Sequence, residues 1–146
     1  ARAVLAATRE RLPEVVYWGA VLPKDEDLSA VHLANAIDVT GGMLDENPDL
    51  SLCPEASRTF PGQPGLIVRS KDGTPLLPKF HFGSAENEKG LILKYRDADN
   101  GLMLTFEFET DPDTYIIRAK TTLQADAPVH LHWLAAPVMP APPLSD

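Results

Sequence analysis

The sequence predicts an all-β protein, an antiparallel β-sandwich with one short helix, forming a single domain over residues 1–146. Three observations predict it. Residues 90–136 alternate apolar and polar side chains with period two. Turn signals separate the alternating runs about every dozen residues. Only residues 27–36 combine a capping residue with apolar residues at helical spacing.

The first third of the chain is less regular than the rest. Residues 3–7 fit a helix or a strand, and the charged residues that follow favour a strand that enters a turn. Residues 13–22, rich in β-branched and aromatic side chains, predict a second strand. Asp27 can accept the free N–H groups of a first helical turn. The helix predicted from there through Ala36 has an apolar stripe of Ala30, Leu33, Ala34 and Ile37.

The remaining strands follow from alternation. Short apolar runs at 66–68 and 79–82 are strand candidates. Four longer strands are predicted after residue 90, each with one face toward the core. Their inward residues are Leu91, Leu93 and Tyr95, then Leu102, Leu104, Phe106 and Phe108, then Tyr115, Ile117, Ala119, Thr121 and Leu123, and last Val129, Leu131, Trp133 and Ala135.

The segment 97–101 predicts a hairpin turn between two of these strands. Asn100 and Gly101 both tolerate positive φ, and the short side chains of Asp97 and Asp99 bond to nearby backbone. Asp97 lies at the end of a strand, where some enzymes carry a catalytic aspartate. The turn is sufficient to explain why an aspartate occupies this position. We therefore interpret Asp97 as a structural residue.

Composition and charge limit the classes of function that the chain can have. The net charge of −8 argues against nucleic acid and an anionic membrane as partners. No apolar run approaches the roughly 20 residues of a membrane span. A single cysteine, Cys53, excludes an internal disulfide and is most simply a small buried apolar residue. We expect a cytoplasmic protein. A periplasmic location is the alternative, because the sequence starts at Ala1 without methionine and a leader could have been removed.

Residues 41–65 form a long loop rich in Gly, Pro, Asp and Asn, and such loops are often functional. Three of its acids, Asp45, Glu46 and Asp49, are interpreted as solvated, since a catalytic carboxyl pair needs burial that raises one pKa. His130 and His132 have the spacing of metal ligands, and His81 could add a third. Without a carboxylate motif beside them, a solvent-facing or hydrogen-bonded pair is favoured, and we expect no metal and no cofactor.

Four aromatic residues are candidates for a sugar-stacking platform: Tyr17, Trp18, Phe60 and Trp133. Most aromatic residues on amphipathic strands belong to the core. Phe60 differs because it lies in the Gly/Pro-rich loop, beside Arg58, whose planar group can bind hydroxyls or a carboxylate. Loop packing is the alternative explanation for both residues.

Several segments together resemble the N-terminal domain of family 36 glycoside hydrolases, the microbial α-galactosidases. They are the strand at 12–19 that ends in Tyr-Trp-Gly, the helix after Asp27, the Pro-Glu…Gly loop at 50–65, and the strand and exit at 123–142. The resemblance covers most of the chain in order and with similar spacing.

The resemblance implies a non-catalytic β-supersandwich that packs against a barrel domain in the same polypeptide, and residues 1–146 would be a fragment of that N-terminal domain. The family's two catalytic aspartates lie in that barrel, so no catalytic residue is expected here. The resemblance also implies homo-oligomers in which the long loop borders a substrate pocket, which points to Glu55, Arg58 and Phe60 as substrate-binding residues. Galactoside would be the substrate of the parent enzyme. A free-standing carbohydrate-binding sandwich remains the alternative.

Overall fold

A computed structural model describes residues 2–6, 9–34, 50–88, 90–114 and 116–139. Across these ranges the chain forms strands, one α-helix and one 3-10 helix. In chain order they are β1 Arg2–Ala6, β2 Glu14–Gly19, α1 Leu28–Ala34, the 3-10 helix Ala56–Arg58, β3 Leu66–Ser70, β4 His81–Glu86, β5 Leu91–Asp97, β6 Leu102–Thr110, β7 Ile117–Ala125 and β8 Val129–Leu134.

The strands form three antiparallel sheets. The largest has the order β4-β5-β6-β7, so consecutive strands are neighbours. The pair β3-β8 joins strands far apart in sequence, and β1-β2 forms a third, separate sheet. The sequence-based prediction of an all-β antiparallel sandwich with one short helix is confirmed.

The core lies between the four-stranded sheet and the β3-β8 pair. Leu66 and Val68 of β3 belong to the same buried cluster as Tyr95 of β5. The predicted inward faces of β5 and β6 are confirmed, because Leu93, Leu102, Leu104 and Phe106 are all at most 3 % exposed. Each buried side chain of this size stabilises the fold by about 1.5–3 kcal/mol.

The predicted turn between β5 and β6 is also confirmed. Gly101 has φ +62, a conformation that glycine adopts without steric cost. Oδ1 of Asp97 accepts the N–H groups of Asp99 and Asn100 at 3.1 and 3.3 Å. Oδ2 accepts the Asn100 side-chain amide at 2.6 Å. Asp97 is 2 % exposed and acts as the structural residue of this turn.

The predicted inward face of β8 is correct for Val129, which packs against the core, and wrong for Trp133. Between Ile67 and Val68 of β3 the pairing register shifts, so that Ile67 faces Trp133 while Val68 faces Leu131. The extra residue, His132, forms a β-bulge, and a bulge reverses the alternation beyond it. Leu131 and Trp133 therefore lie on opposite faces, and they are 51 % and 45 % exposed.

Two predictions in the first third need correction, and two are confirmed. Residues 2–6 are a strand, as favoured. The second strand ends at Gly19 rather than at residue 22, and Val21 is 66 % exposed. Asp27 caps α1, since its Oδ1 accepts the Ser29 and Ala30 N–H groups. The predicted apolar stripe is not buried, because Leu33 is 76 % exposed; Ala36 and Ile37 lie outside the described residues.

The search for membrane-spanning segments covered the described ranges. No helix within them is both long enough and apolar enough to cross a bilayer.

Candidate functional site: the loop from Cys53 to Gly65

The described part of the long loop is fixed at both ends by backbone hydrogen bonds. The Leu52 N–H donates to the Pro13 carbonyl at 2.8 Å, and Ser51 bridges to Glu14 of β2. At the other end the Gly65 N–H donates to the Pro54 carbonyl at 2.9 Å. Residues 54 and 65 therefore close the loop on itself.

Glu55 lies inside this closed loop and is 8 % exposed. One carboxylate oxygen, Oε1, accepts the backbone N–H of Phe80 at 2.8 Å. The other, Oε2, accepts Nε–H of Arg58 at 2.8 Å. A buried carboxylate is tolerable only when donors satisfy it, and this one has both an ionic and a backbone donor.

Arg58 occupies the end of the 3-10 helix, one turn after Glu55. Besides its bond to Glu55, its Nη2 donates to the Phe80 carbonyl at 3.3 Å and to the Glu10 carbonyl. Its side chain is 19 % exposed. The guanidinium thus links the loop to the segment before β2 and to the segment before β4.

Beyond Arg58 the backbone turns sharply. Thr59 has the left-handed conformation at φ 61 and ψ 17, and it ends the 3-10 helix. The half-buried ring of Phe60 lies over Gly62: a Cβ at residue 62 would come within 2.7 Å of its Cε1. The Phe60 ring can therefore pack against its own loop because residue 62 has no side chain.

Cys53 packs at the base of the loop and is 1 % exposed. Burial, and secondarily the charge of Glu55, raises the pKa of its thiol from 9.0 to about 12. Cysteine reactivity requires the thiolate, so Cys53 is an inert core residue, as the sequence predicted.

A cleft of about 180 Å³ opens beside Glu55 and Cys53. Its walls are mainly proline and leucine side chains from the loop, from β3 and from residues 75–80, and they include Pro54, Pro64, Pro75, Leu76, Leu77 and Pro78. Glu55 and Arg69 are its charged lining residues.

The structure brings Glu55 and Arg58 together but gives the other candidates separate surroundings. His130, on β8, has Nε2 3.3 Å from the Lys71 carbonyl, while Nδ1 of His81, on β4, lies 3.7 Å from Glu10. Within the described ranges no cluster of three or more His, Cys, Asp or Glu residues could hold a metal ion. The acids Asp45, Glu46 and Asp49 lie outside the described residues.

The four aromatic candidates lie on different elements. Tyr17 and Trp18 belong to β2, and the Tyr17 hydroxyl donates to the Ala20 carbonyl at 2.9 Å. Trp133 lies on β8 and Phe60 in the loop. Sequence reasoning missed Phe80, whose backbone groups bind Glu55 and Arg58; no local pattern could have shown this, because the contact spans 25 residues.

The chain matches the glycosyl hydrolase family 36 N-terminal domain over residues 11–146, and it belongs to that family. No curated protein and no solved structure gives a significant match.

Proposed function

We propose that this chain is the non-catalytic N-terminal domain of an α-galactosidase, whose catalytic barrel domain belongs to the same polypeptide. The parent enzyme would remove terminal α-linked galactose from oligosaccharides by double displacement. The observation that carries the proposal is the family match over residues 11–146.

The contacts of the buried acids support a non-catalytic role. A retaining glycosidase needs two carboxyl groups about 5 Å apart, one nucleophilic and one carrying a proton. Glu55 and Asp97 are the buried carboxylates in the described ranges. Glu55 accepts donors from Arg58 and Phe80, and Asp97 accepts donors from its own turn. Both carboxylates therefore accept hydrogen bonds from donors within the domain, and these bonds hold the backbone in place.

The proposed role of the loop is to form part of the rim of the substrate pocket. Glu55 and Arg58 would act by positioning the loop, since their polar atoms already bond within the domain. Phe60 is the residue proposed to contact sugar, because its ring is only half-buried and it follows Arg58 of the ion pair by two residues. Aromatic rings stack well on the apolar face of a hexose.

The proposal includes two further properties of the parent enzyme. We expect homo-oligomers in which this domain contributes contacts. We also expect a cytoplasmic location, and the free thiol of Cys53, the only cysteine in the sequence, is compatible with it.

The experiment is an assay of the full polypeptide with chromogenic α-galactosides. The proposal expects release from p-nitrophenyl α-galactoside and a lower rate with the α-N-acetylgalactosaminide. The polypeptide with residues 1–146 deleted should lose stability or oligomeric state. Hydrolysis by residues 1–146 alone would contradict the proposal, as would a full polypeptide that leaves the galactoside intact.

One observation favours a second function, carbohydrate binding by this domain itself. Trp133 is 45 % exposed and shares the outer face of the β3-β8 sheet with Ile67, Arg69 and His130. A planar ring beside hydrogen-bond donors is a common sugar-binding surface. Calorimetric titration with galactose and raffinose, repeated with Trp133→Ala, tests it; equal binding by both proteins, or none, would dismiss this second function.

A further inference from the structure

The turn between β5 and β6 contains a pair of residues that can react with each other. Asn100-Gly101 is the one place in the sequence where asparagine precedes glycine. Asparagine belongs to the thermolabile residues of proteins. The backbone nitrogen of the following residue can attack its side-chain carbonyl carbon, and glycine hinders this attack least because it has no Cβ. The sequence of the turn is therefore suited to spontaneous deamidation.

The reaction needs no co-reactant other than water. The Gly101 nitrogen loses its proton and forms a bond to Cγ of Asn100, while the bond from Cγ to Nδ2 breaks. The side-chain nitrogen gains a proton and leaves as ammonia, and a succinimide ring remains. Water then opens the ring at Cγ, which gives aspartate, or at the backbone carbonyl carbon of residue 100, which gives isoaspartate. No atom is oxidised or reduced in these steps.

In the folded domain the Asp97 carboxylate holds Asn100 at two points. Its Oδ2 accepts the side-chain Nδ2–H at 2.6 Å, and its Oδ1 accepts the backbone N–H at 3.3 Å. Hydrogen bonds to a carboxylate are stronger than those between neutral groups. The succinimide ring includes side-chain and backbone atoms of Asn100, so ring closure moves both. The contacts with Asp97 therefore oppose the reaction.

Asp97 is also not available as a base for the attacking nitrogen. Besides the two groups of Asn100, it accepts the backbone N–H groups of Lys79 and Asp99 at 3.3 and 3.1 Å. These four donors occupy the acceptor positions of one carboxylate. Because Asp97 is 2 % exposed, water has little access to compete for them. The carboxylate therefore restrains Asn100 without promoting the attack on it.

Gly101 is held from the other side of the turn by Asp126, which follows β7. The Asp126 N–H donates to the Gly101 carbonyl at 2.9 Å. The Asp126 carboxylate is paired with Arg96 at 2.6 Å and lies beside the glycine, since a Cβ at residue 101 would be 3.1 Å from its Oδ2. Both residues that take part in the reaction are thus restrained in the folded turn.

The products do not fit this turn. In aspartate an oxygen replaces Nδ2, which now lies 2.6 Å from Oδ2 of Asp97, so two carboxylates would face each other in a buried site. Like charges in such a site repel. Isoaspartate adds one carbon atom to the backbone between residues 100 and 101, which disturbs the pairing of Asp97 with Leu102. Either product therefore weakens the folded turn.

We propose that Asn100 is a self-modification site, which Asp97 closes in the folded domain and which opens when the β5-β6 turn unfolds. Deamidation of the open turn then makes a reversible unfolding event permanent, because the modified chain refolds to a less stable domain. This inference goes beyond the proposed function and does not depend on it, since no step involves turnover of a substrate.

Peptide mapping by mass spectrometry at pH 8 tests the proposal on the protein kept native or unfolded in guanidinium chloride. Asn100 is expected to deamidate at least about 10-fold faster in the unfolded chain than in the native one. Asn87, which is exposed and precedes Glu88, is the internal control and should react slowly in both states. Equal rates at Asn100 in the two states would overturn the proposal, as would an Asn100 that stays intact in the unfolded chain.

The cost of the product is measured with a matched pair of variants. Asn100→Asp introduces the aspartate directly, and we expect a melting temperature at least about 4 °C lower. Asn87→Asp makes the same change at an exposed residue and should shift it by less than about 1 °C. Equal melting temperatures of the two variants would show that Asp97 tolerates a second carboxylate, and the proposal would fail.

A third variant separates the role of Asp97 from that of folding in general. Asp97→Asn removes the charge that holds the Asn100 amide, so native deamidation should be faster while circular dichroism shows that the protein is folded. An unchanged native rate would remove Asp97 from the proposal. If Asp97→Asn does not fold, the comparison of Asn100→Asp with Asn87→Asp decides whether Asp97 constrains residue 100.

Discussion

The Glu55 carboxylate and the Phe80 backbone N–H lie 2.8 Å apart, although 25 residues separate them in the sequence. The carbonyl of the same Phe80 accepts a hydrogen bond from Arg58, the ion-pair partner of Glu55. One ion pair thus binds both backbone groups of Phe80. It joins the loop to the segment that precedes β4. The conformation of the loop and the position of this segment therefore depend on each other.

Glu55→Ala should destabilise the domain by about 2–4 kcal/mol. The substitution leaves the Phe80 N–H and the Arg58 guanidinium without their carboxylate acceptor in a site where the Glu55 side chain is 5 % exposed. Urea unfolding of the protein measures the change. The control is Glu86→Ala, which removes an ion pair with Lys94 between side chains that are 53 % and 40 % exposed; it should cost under about 1 kcal/mol. Equal losses would show that the buried pair has no special role.

Gly65→Ala should destabilise the domain by about 2 kcal/mol or more, because the new methyl group has no room. A Cβ at residue 65 would lie 2.8 Å from Sγ of Cys53, 2.9 Å from its Cα and 3.1 Å from its carbonyl carbon. Two of these atoms are backbone, so adding Cys53→Ala should not restore stability. Urea unfolding of the single and double variants measures this; a rescued double variant would show that only the sulfur is in the way.

Local patterns in the sequence were sufficient to predict the sheet built from neighbouring strands. The alternation in β5 and β6 reports burial directly, and the Asn100-Gly101 pair fixes the turn that sets their register. Each of these features depends on residues within about ten positions of one another. The sequence near each strand and near the turn is therefore sufficient to predict its structure.

Long-range pairings could not be predicted in the same way. β3 and β8 are separated by four strands, and the bulge at His132 depends on how they pair rather than on either sequence alone. Alternation without the bulge assigned Leu131 and Trp133 to one face, which is wrong. For the candidate site, the sequence singled out Glu55 and Arg58, but their shared partner Phe80 becomes visible only after the chain is folded.

Tyr95→Phe should leave the stability unchanged or raise it by about 1 kcal/mol. The Tyr95 ring makes edge-to-face contacts with Phe82 and Phe106, and its buried hydroxyl has no hydrogen-bond partner in the described structure. Tyr17→Phe is the matched control, since that hydroxyl donates to the Ala20 carbonyl at 2.9 Å, and it should lose about 0.5–1.5 kcal/mol. Thermal unfolding of both variants measures the difference. A substantial loss in Tyr95→Phe would reveal a partner for its hydroxyl, such as a bound water.

The domain should lose stability as the pH rises above about 9. Burial raises the pKa of the Cys53 thiol from 9.0 to about 12 and the pKa of the Tyr95 hydroxyl from 10.0 to about 12. Because the folded state holds both protons more tightly, the stabilisation is complete below the unfolded values and is lost as the pH approaches 12. Urea midpoints at pH 8 and pH 10.5 measure the slope, and Tyr95→Phe should reduce it.

The same burial predicts that Cys53 is unreactive in the folded protein. At pH 8, iodoacetamide should label the Cys53 peptide in 8 M urea at least 100-fold faster than in the native state, as measured by mass spectrometry, because the native thiol is both protonated and 1 % exposed. Rapid native labelling would show that the base of the loop opens.

Phe60→Ala should raise KM for α-galactosides about 5- to 10-fold in the full enzyme while leaving kcat nearly unchanged. This corresponds to about 1–1.4 kcal/mol of lost substrate contact. The reason is that the ring is proposed to meet the substrate at the pocket rim, far from the reacting atoms. Steady-state kinetics measures the effect, and Phe82→Leu, which alters a ring packed against Tyr95 in the core, controls for a general loss of stability. An unchanged KM in Phe60→Ala, or an equal rise in both variants, would assign Phe60 to loop packing over Gly62 and remove it from the substrate pocket.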